Sequence, residues 1–398
     1  MTLSHGRDLF MTPGPSTIPD RVLRAMHRAA PNIYEGELMD MTAWVTADLK
    51  AIAGTKHHAA IYICNGHGTW EAAITNTVAP GSRVLVPATG RFAKGWADTA
   101  TRLGMETTTL DLGTTAAADP TAITKALRAD PSIKAVLAVQ TDTSTSVLND
   151  IPAVRAAIDA ADHPALLLVD CIASFACDRF EMDAWGVDLA VTACQKGLMT
   201  PPGLGMVFLN DKALAARHAL PNVSPYWDVL PRIKPKLFYQ YFGGTAPTHH
   251  LYGLREAVDM ILEEGIEAVW SRHGMLASAI HAAVEKWSTR GDLRLNVPDP
   301  AHRSSAVTTI HTSPGDGTRL REWCDKQAGL TLGVGLGLGG PSELTGDNIF
   351  RIGHMGHMNP AMILGTLSVV DAGLRALGIE CGDGAVEAAG EIISTATK

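Results

Sequence analysis

The chain has 398 residues, 46% of them hydrophobic and 19% charged, against roughly 25% charged in an average soluble domain. That composition supplies a large core on the scale of two to three domains, and with so little charge much surface is expected to be hidden in the fold or against another subunit. Lys and Arg number 33 and Asp and Glu 41, a net charge of −8, which argues against a general binder of nucleic acid or of anionic membrane, since both need excess positive charge.

The first twenty residues carry no apolar segment after a basic start, and no stretch approaches the ~18 uninterrupted apolar residues of a membrane span. Six cysteines (Cys64, Cys171, Cys177, Cys194, Cys324, Cys381) lie scattered without CxxC spacing, mostly in apolar stretches where a free thiol acts as a small hydrophobe. A reduced, cytoplasmic setting is expected. From about residue 60 to 210, β-rich apolar runs (Ala60–Cys64, Arg83–Val86, Met105–Leu110, Lys134–Val139, Ala165–Val169, Asp188–Ala193, Met206–Leu209) alternate with helix-like stretches near 68–78, 92–103, 120–129 and 151–162. Such alternation predicts βαβ units and a mostly parallel sheet buried on both faces, with its chemistry at the carboxyl ends of the strands. Pro221–Phe242, rich in proline and aromatics, reads as an extended excursion over the surface or onto a neighbour. Helical periodicity from 250 to about 288 predicts a helix linking two lobes. A smaller α+β unit follows, with strands expected at 304–311, 330–334 and 348–353 and helices at 317–328 and 359–376.

Residues 165–210 are the most informative. Asp170 ends a run of apolar residues, where a buried strand opens onto a ligand crevice, and Lys196 follows a second such run, in Gln195-Lys196-Gly197 ahead of the turn Pro201-Pro202-Gly203. Either residue alone reads as ordinary, a solvated loop lysine or a helix N-cap. Together they form the pair that pyridoxal phosphate needs: an amine to form a Schiff base with its aldehyde, and a carboxylate to keep the pyridine nitrogen protonated. Tyr62 to Glu71 runs from a strand through Gly66 and Gly68 into a helix, whose first N–H groups can seat a phosphate, although such turns are common in α/β proteins. The tract Gly333–Gly340 has no strand–turn–helix context with an acid some 20 positions on, and is expected to be a flexible or substrate-covering loop. Arg351 lies in the apolar run Asn348–Gly353, where it needs an anion; a substrate carboxylate or a structural ion pair would serve. The histidines at 57–58, 249–250 and 354/357 do not build a three-ligand metal constellation, and Cys194 reads as a core residue rather than a nucleophile.

These motifs, taken in order, resemble the class V aminotransferases of the fold-type I pyridoxal-phosphate enzymes, in particular the alanine/serine–glyoxylate group. The resemblance rests on Thr12-Pro-Gly-Pro-Ser16, Gly66-His67, Asp142–Val147, Val169-Asp-Cys-Ile-Ala-Ser174, Gln195-Lys-Gly197 with Pro201-Pro-Gly203, and Arg351-Ile-Gly353, over nearly the whole length. It implies a mostly parallel seven-stranded sheet sandwiched by helices, an N-terminal arm (1–20), a large cofactor-binding domain (21–285) and a small C-terminal α+β domain (286–398). Position by position, it implies Lys196 as the Schiff-base lysine and Asp170 as partner of the ring nitrogen. Phe92 would stack on the ring, Thr143 would lie near its phenolic oxygen, and Asn65, Gly66, His67 and Gln195 would bind the phosphate. Thr245 would reach the phosphate held by a neighbouring subunit, which makes a homodimer the active unit, and Arg351 would clamp the substrate's α-carboxylate. The chain departs from the serine–glyoxylate pattern at Asn32–Glu37, Thr145-Ser146 and Phe242. Tyr34 and the run Arg351–Gly356 are similar instead to pyridoxamine–pyruvate aminotransferase, which makes Tyr34 a substrate-binding candidate. The acid that enzyme uses near the cofactor falls at Asn65, and its second arginine finds no match around 336–343.

The expected reaction is amino transfer from a small amino acid such as serine or alanine to a small 2-oxo acid, with glyoxylate first among acceptors. Pyridoxamine–pyruvate transfer or another unusual donor is the alternative within the family, and a lyase with a mobile catalytic cysteine the alternative outside it. A nicotinamide dehydrogenase would need the fingerprint loop that is missing, and a non-catalytic binding scaffold would leave Asp170 and Lys196 unexplained.

Overall fold

The computed structural model describes residues 2–339 and 345–396. Its strands, in chain order, are β1 (Leu9–Met11), β2 (His58–Ile63), β3 (Arg83–Ala88), β4 (Glu106–Asp111), β5 (Ile133–Val139), β6 (Thr141–Asp142), β7 (Val147–Leu148), β8 (Leu166–Asp170), β9 (Leu189–Ala193), β10 (Leu204–Leu209), β11 (Arg294–Leu295), β12 (Val307–His311), β13 (Leu330–Leu336) and β14 (Thr345–Gly353). Seven of them form one sheet in the order β2-β10-β9-β8-β5-β3-β4. Strand β10 runs antiparallel to β2 and β9, and the remaining neighbours pair in parallel.

Successive side chains of a strand point to opposite faces, and this sheet uses both. Val136, Leu167 and Val169 enter one core, which also takes Leu38, Val45 and Leu49 from the helix Glu37–Ile52 and Ile151 and Val154 from the helix Ile151–Ala160. Leu137, Leu166 and Leu168 enter the opposite core, with Trp70 from the helix Gly66–Thr75 and Trp96 from the helix Arg91–Arg102. Because both faces are covered, β8, β9 and β10 are buried at every residue, which explains why they read as unbroken apolar runs rather than alternating ones.

A second sheet, in the order β1-β13-β14-β12-β11, has its own core of Phe350, Ile352, Leu367, Val370 and Trp287. Its edge strand β1 comes from the N-terminus and pairs in parallel with β13. The helical stretch expected to run through to 288 is two helices, Thr248–Glu264 and Ile266–Trp287, broken at Gly265. Gly265 stands at φ +86°, a backbone that L side chains rarely adopt, so the chain turns there and the second helix reaches from the large sheet's core to the small one's. The expected glycine loop is corrected too. Residues 330–336 form β13, where a Cβ on Gly333 would come 2.5 Å from Pro13 Cδ and one on Gly335 2.7 Å from Ile349 Cβ. These glycines serve close packing rather than mobility; Gly340 and Pro341 lie outside the described residues. The segment 221–242 is not simply extended either, since Arg232 anchors it, buried and donating to the carbonyls of Ile61, Tyr226 and Tyr241. Among the described residues no helix is long and apolar enough to cross a membrane.

Candidate active site

The carboxyl ends of the parallel strands open onto a cavity of ≈ 270 Å³ whose lining includes Asp170, Lys196, Gln195, Asn65, Gly66, His67, Phe92 and Thr143. Eight of the residues singled out from the sequence therefore meet in one place, from segments as far apart as 65 and 196. Asp170 closes β8, paired in register with Val139 and Val191. Its Oδ1 accepts the N–H of Ile172 and its Oδ2 the indole N–H of Trp70, both at 2.8 Å. Even with two donors, burial dominates and raises the carboxyl to about 7. Lys196 sits three residues beyond β9; burial, and after it the charge of Arg351, lower its amine to about 8, while Asp170 pulls the other way. An acid raised and an amine lowered in one cavity mark a site built for proton and amine chemistry.

The N-terminal arm holds the lysine segment from outside. Ser16 donates its N–H to the Gln195 carbonyl at 2.9 Å and its hydroxyl to the Lys196 carbonyl at 2.7 Å, and the amine of Lys196 donates to the Pro13 carbonyl. The Thr12–Ser16 motif thus has a physical reason: Gly14 stands at φ +103°, and a Cβ on it would lie 2.3 Å from Lys196 Nζ.

Asn65 caps the helix Gly66–Thr75, its side chain accepting from the N–H groups of His67 and Gly68. His67 packs edge-on to Trp70, with ring centroids 4.6 Å apart, and burial, followed by the charge of Arg91, keeps its pKa below the ordinary value. Phe92 is set by Asp142, whose buried carboxylate accepts the N–H groups of Phe92 and Ala93 and the hydroxyl of Ser144. Gly90 is required beside it, because a Cβ there would meet the Asp142 carboxyl carbon at 2.3 Å. Neither Asp142 nor Trp70 stands out by spacing in the sequence; each acquires its role only through a partner 50 or 100 residues away.

Arg351 is 5% exposed and, instead of a structural ion pair, makes bonds to backbone carbonyls: Nε to Val334 O at 2.6 Å and Nη1 to Thr143 O at 2.5 Å. It therefore touches a residue of the cavity wall, with the charge of Asp142 opposing burial and no ion pair among the described residues. Tyr34 and Thr245, like Arg351, are not among the residues that line this cavity within the single chain. Tyr34 is 84% exposed, and Thr245 is exposed in the turn before the helix Thr248–Glu264. Cys194 is buried, donating to Pro201 O and accepting from Leu204 N, and burial raises its thiol, which suits a packing residue. His354 is buried between Thr308 and the Ser305 carbonyl. Among the described residues no group of three or more His, Cys, Asp or Glu side chains is arranged to hold a metal ion.

The fold and this cavity define a class of protein, and comparison with known proteins names it. Residues 10–343 match the family model described as aminotransferase class-V, and the chain belongs to that family of amino-group transferases. The serine–glyoxylate aminotransferase of Methylorubrum extorquens is 37% identical over 390 residues, covering 94% of both chains. The L-aspartate–glyoxylate aminotransferase of Paracoccus denitrificans is 34% identical, again over 94% of both. Among solved structures, pyridoxamine–pyruvate aminotransferase from Mesorhizobium loti superposes with a TM-score of 0.88 at 26% identity, covering 99% of this chain and 100% of the other.

Proposed function

We propose that this chain is a pyridoxal-phosphate-dependent aminotransferase that moves an amino group from a small amino acid to a small 2-oxo acid, with glyoxylate as the preferred acceptor. The observation that carries the reading is the meeting of Asp170 and Lys196 in one cavity. The residues fit the cofactor on three counts. Asp170 is a buried acid whose hydrogen-bond donors are two neutral N–H groups, and a protonated ring nitrogen would supply it with a counter-charge. Gln195 brings a side-chain amide to the same cavity, whose N–H groups can donate to a phosphate, and the helix beginning at Gly66 aims the positive end of its dipole there. In this reading Asn65, Gly66, His67 and Gln195 hold the phosphate, Phe92 covers the ring and Thr143 lies by its hydroxyl.

Bound there, pyridoxal phosphate supplies an aldehyde that condenses with amines and a ring that accepts electrons from the substrate carbon. The chain's own groups do the rest. Lys196, lowered to about 8, holds a useful fraction of neutral amine near neutrality and carries the proton taken from the substrate's Cα. Arg351 binds the α-carboxylate in two-point fashion. The arm, with Gly14 and Ser16, keeps the lysine segment in place. Thr245 and Tyr34 serve the site of a second copy in a homodimer; the arm (1–20) and large domain (21–285) line the cavity, and the small domain (286–398) reaches its wall through Arg351. Glyoxylate is favoured as acceptor because two relatives of different donor carry it in their names; pyridoxamine is kept as a second donor on the strength of the full-length superposition. The test is a panel of serine, alanine, aspartate and pyridoxamine against glyoxylate and pyruvate. The expected outcome is ping-pong amino transfer to glyoxylate, reduced by 10²–10⁴-fold or more, on the order of a lost general base, in Lys196→Ala. Transfer at the wild-type rate by that variant would overturn the assignment.

A further inference from the structure

A second cavity, of ≈ 450 Å³, shares Gly14 and Pro15 with the first as a common wall. Its lining includes two guanidinium groups, those of Arg351 and Arg321. Arg351 comes from β14 and Arg321 from the helix Asp316–Ala328. Arg321 makes a single side-chain hydrogen bond, from Nη2 to Thr318 Oγ1 at 3.0 Å. Its Nε is buried without any partner, and it has no ion pair among the described residues. Of the acids of the same wall, Glu322 pairs with Lys326 at 2.9 Å, its charge still opposing the effect of burial on Arg321, and Asp325 accepts the hydroxyl of Thr331 at 2.9 Å. Burial lowers the Arg321 guanidinium. Burial, opposed by Asp142 and reinforced by Arg321's like charge, brings Arg351 down to about 10.

Two cations facing a partly dehydrated space repel each other several-fold more strongly than they would in water, and an unpaired guanidinium N–H there goes without its hydrogen bond. One ligand removes both costs. We propose that this cavity is an anion subsite in which a small carboxylate bridges Arg321 and Arg351 behind the N-terminal arm. Guanidinium presents paired N–H groups that match the two oxygens of a carboxylate, and the volume accommodates a formate- or acetate-sized ion with water. Arg351 lines this cavity and reaches that of Lys196 only through its bond to Thr143 O, so the subsite lies behind the place where, in the proposed reaction, the substrate sits. A negative charge behind Arg351 weakens its field in the cavity of Lys196, so occupancy raises KM for the amino donor to a plateau and leaves kcat in place. Linkage requires the donor to weaken the anion by the same factor.

The test is thermal melting of the cofactor-loaded enzyme in sodium formate, compared with sodium chloride of equal ionic strength. Wild type is expected to show a saturable rise in Tm with formate over chloride. Arg321→Ala abolishes that difference, and Arg321→Lys, which keeps the charge without the planar fork, retains part of it. In kinetics, formate raises KM to a plateau in wild type and loses that plateau in Arg321→Ala. The proposal is overturned if wild type shows no formate-specific shift, if Arg321→Ala or Arg321→Lys keeps the full shift, or if KM climbs without limit as it would for formate in the substrate's own site. Should Arg321→Ala fail to fold, the Arg321→Lys series decides. Melting needs no turnover, so failure of this inference and failure of the aminotransferase reading are separate results.

Discussion

Asp170 is held where its charge is least welcome. Two N–H donors favour the carboxylate, yet burial outweighs them and carries the group from 3.8 to about 7. In the cofactor-free protein the native state therefore binds more protons at this residue than the unfolded chain does between about pH 4 and 7. The stability it contributes is fully present below about pH 4 and is lost as pH rises through about 7. Urea unfolding of wild type and Asp170→Asn across that range should show the difference between them falling by on the order of 4 kcal/mol, at about 1.4 kcal/mol per unit. A difference that stays flat with pH would contradict the environment described for Asp170. Lys196 acts in a separate window: its amine is lowered from 10.5 to about 8, so its own contribution appears as stability gained from about pH 8 upward.

At the scale of elements, legibility in the sequence followed burial. Strands β8 and β9 are covered on both faces and stood out as apolar runs ending at Asp170 and just before Lys196, which is why both residues could be assigned to strand ends. The helices after Asp119 and Asp150 were also readable, since each has an acid at its N-cap and proline at its second position or first. What could not be read depends on contacts between distant segments. Strand β1 has only three residues and exists because β13 offers it an edge. The glycines of 333–335 imitate a loop until Pro13 and Ile349 are seen packed against them. Asp142 looks like one more turn residue among Ser and Thr, and only the folded chain sets it beneath the first N–H groups of the helix Arg91–Arg102. Trp70 was in view as part of the glycine turn, with no local sign that its indole would reach Asp170.

In the whole molecule, several large side chains near Tyr34 and Thr245 in the chain stand exposed. Tyr34 is 84% exposed, Trp44 61% and Tyr239 53%, unusual values for large apolar side chains in a chain so poor in charge. The proposed homodimer, with Thr245 serving the partner's cavity, would cover such side chains. Sedimentation at micromolar concentration should give a two-chain species, and a monomer retaining full activity would contradict that arrangement.

In the proposed reaction one amine, that of Lys196, takes up the cofactor aldehyde opposite Asp170. Reduction of the purified protein with borohydride, followed by intact mass and peptide mapping, tests it most directly. One added cofactor per chain is expected, carried by the peptide that contains Lys196, and none in Lys196→Ala. A label found on any other lysine, or the same label in that variant, would contradict it.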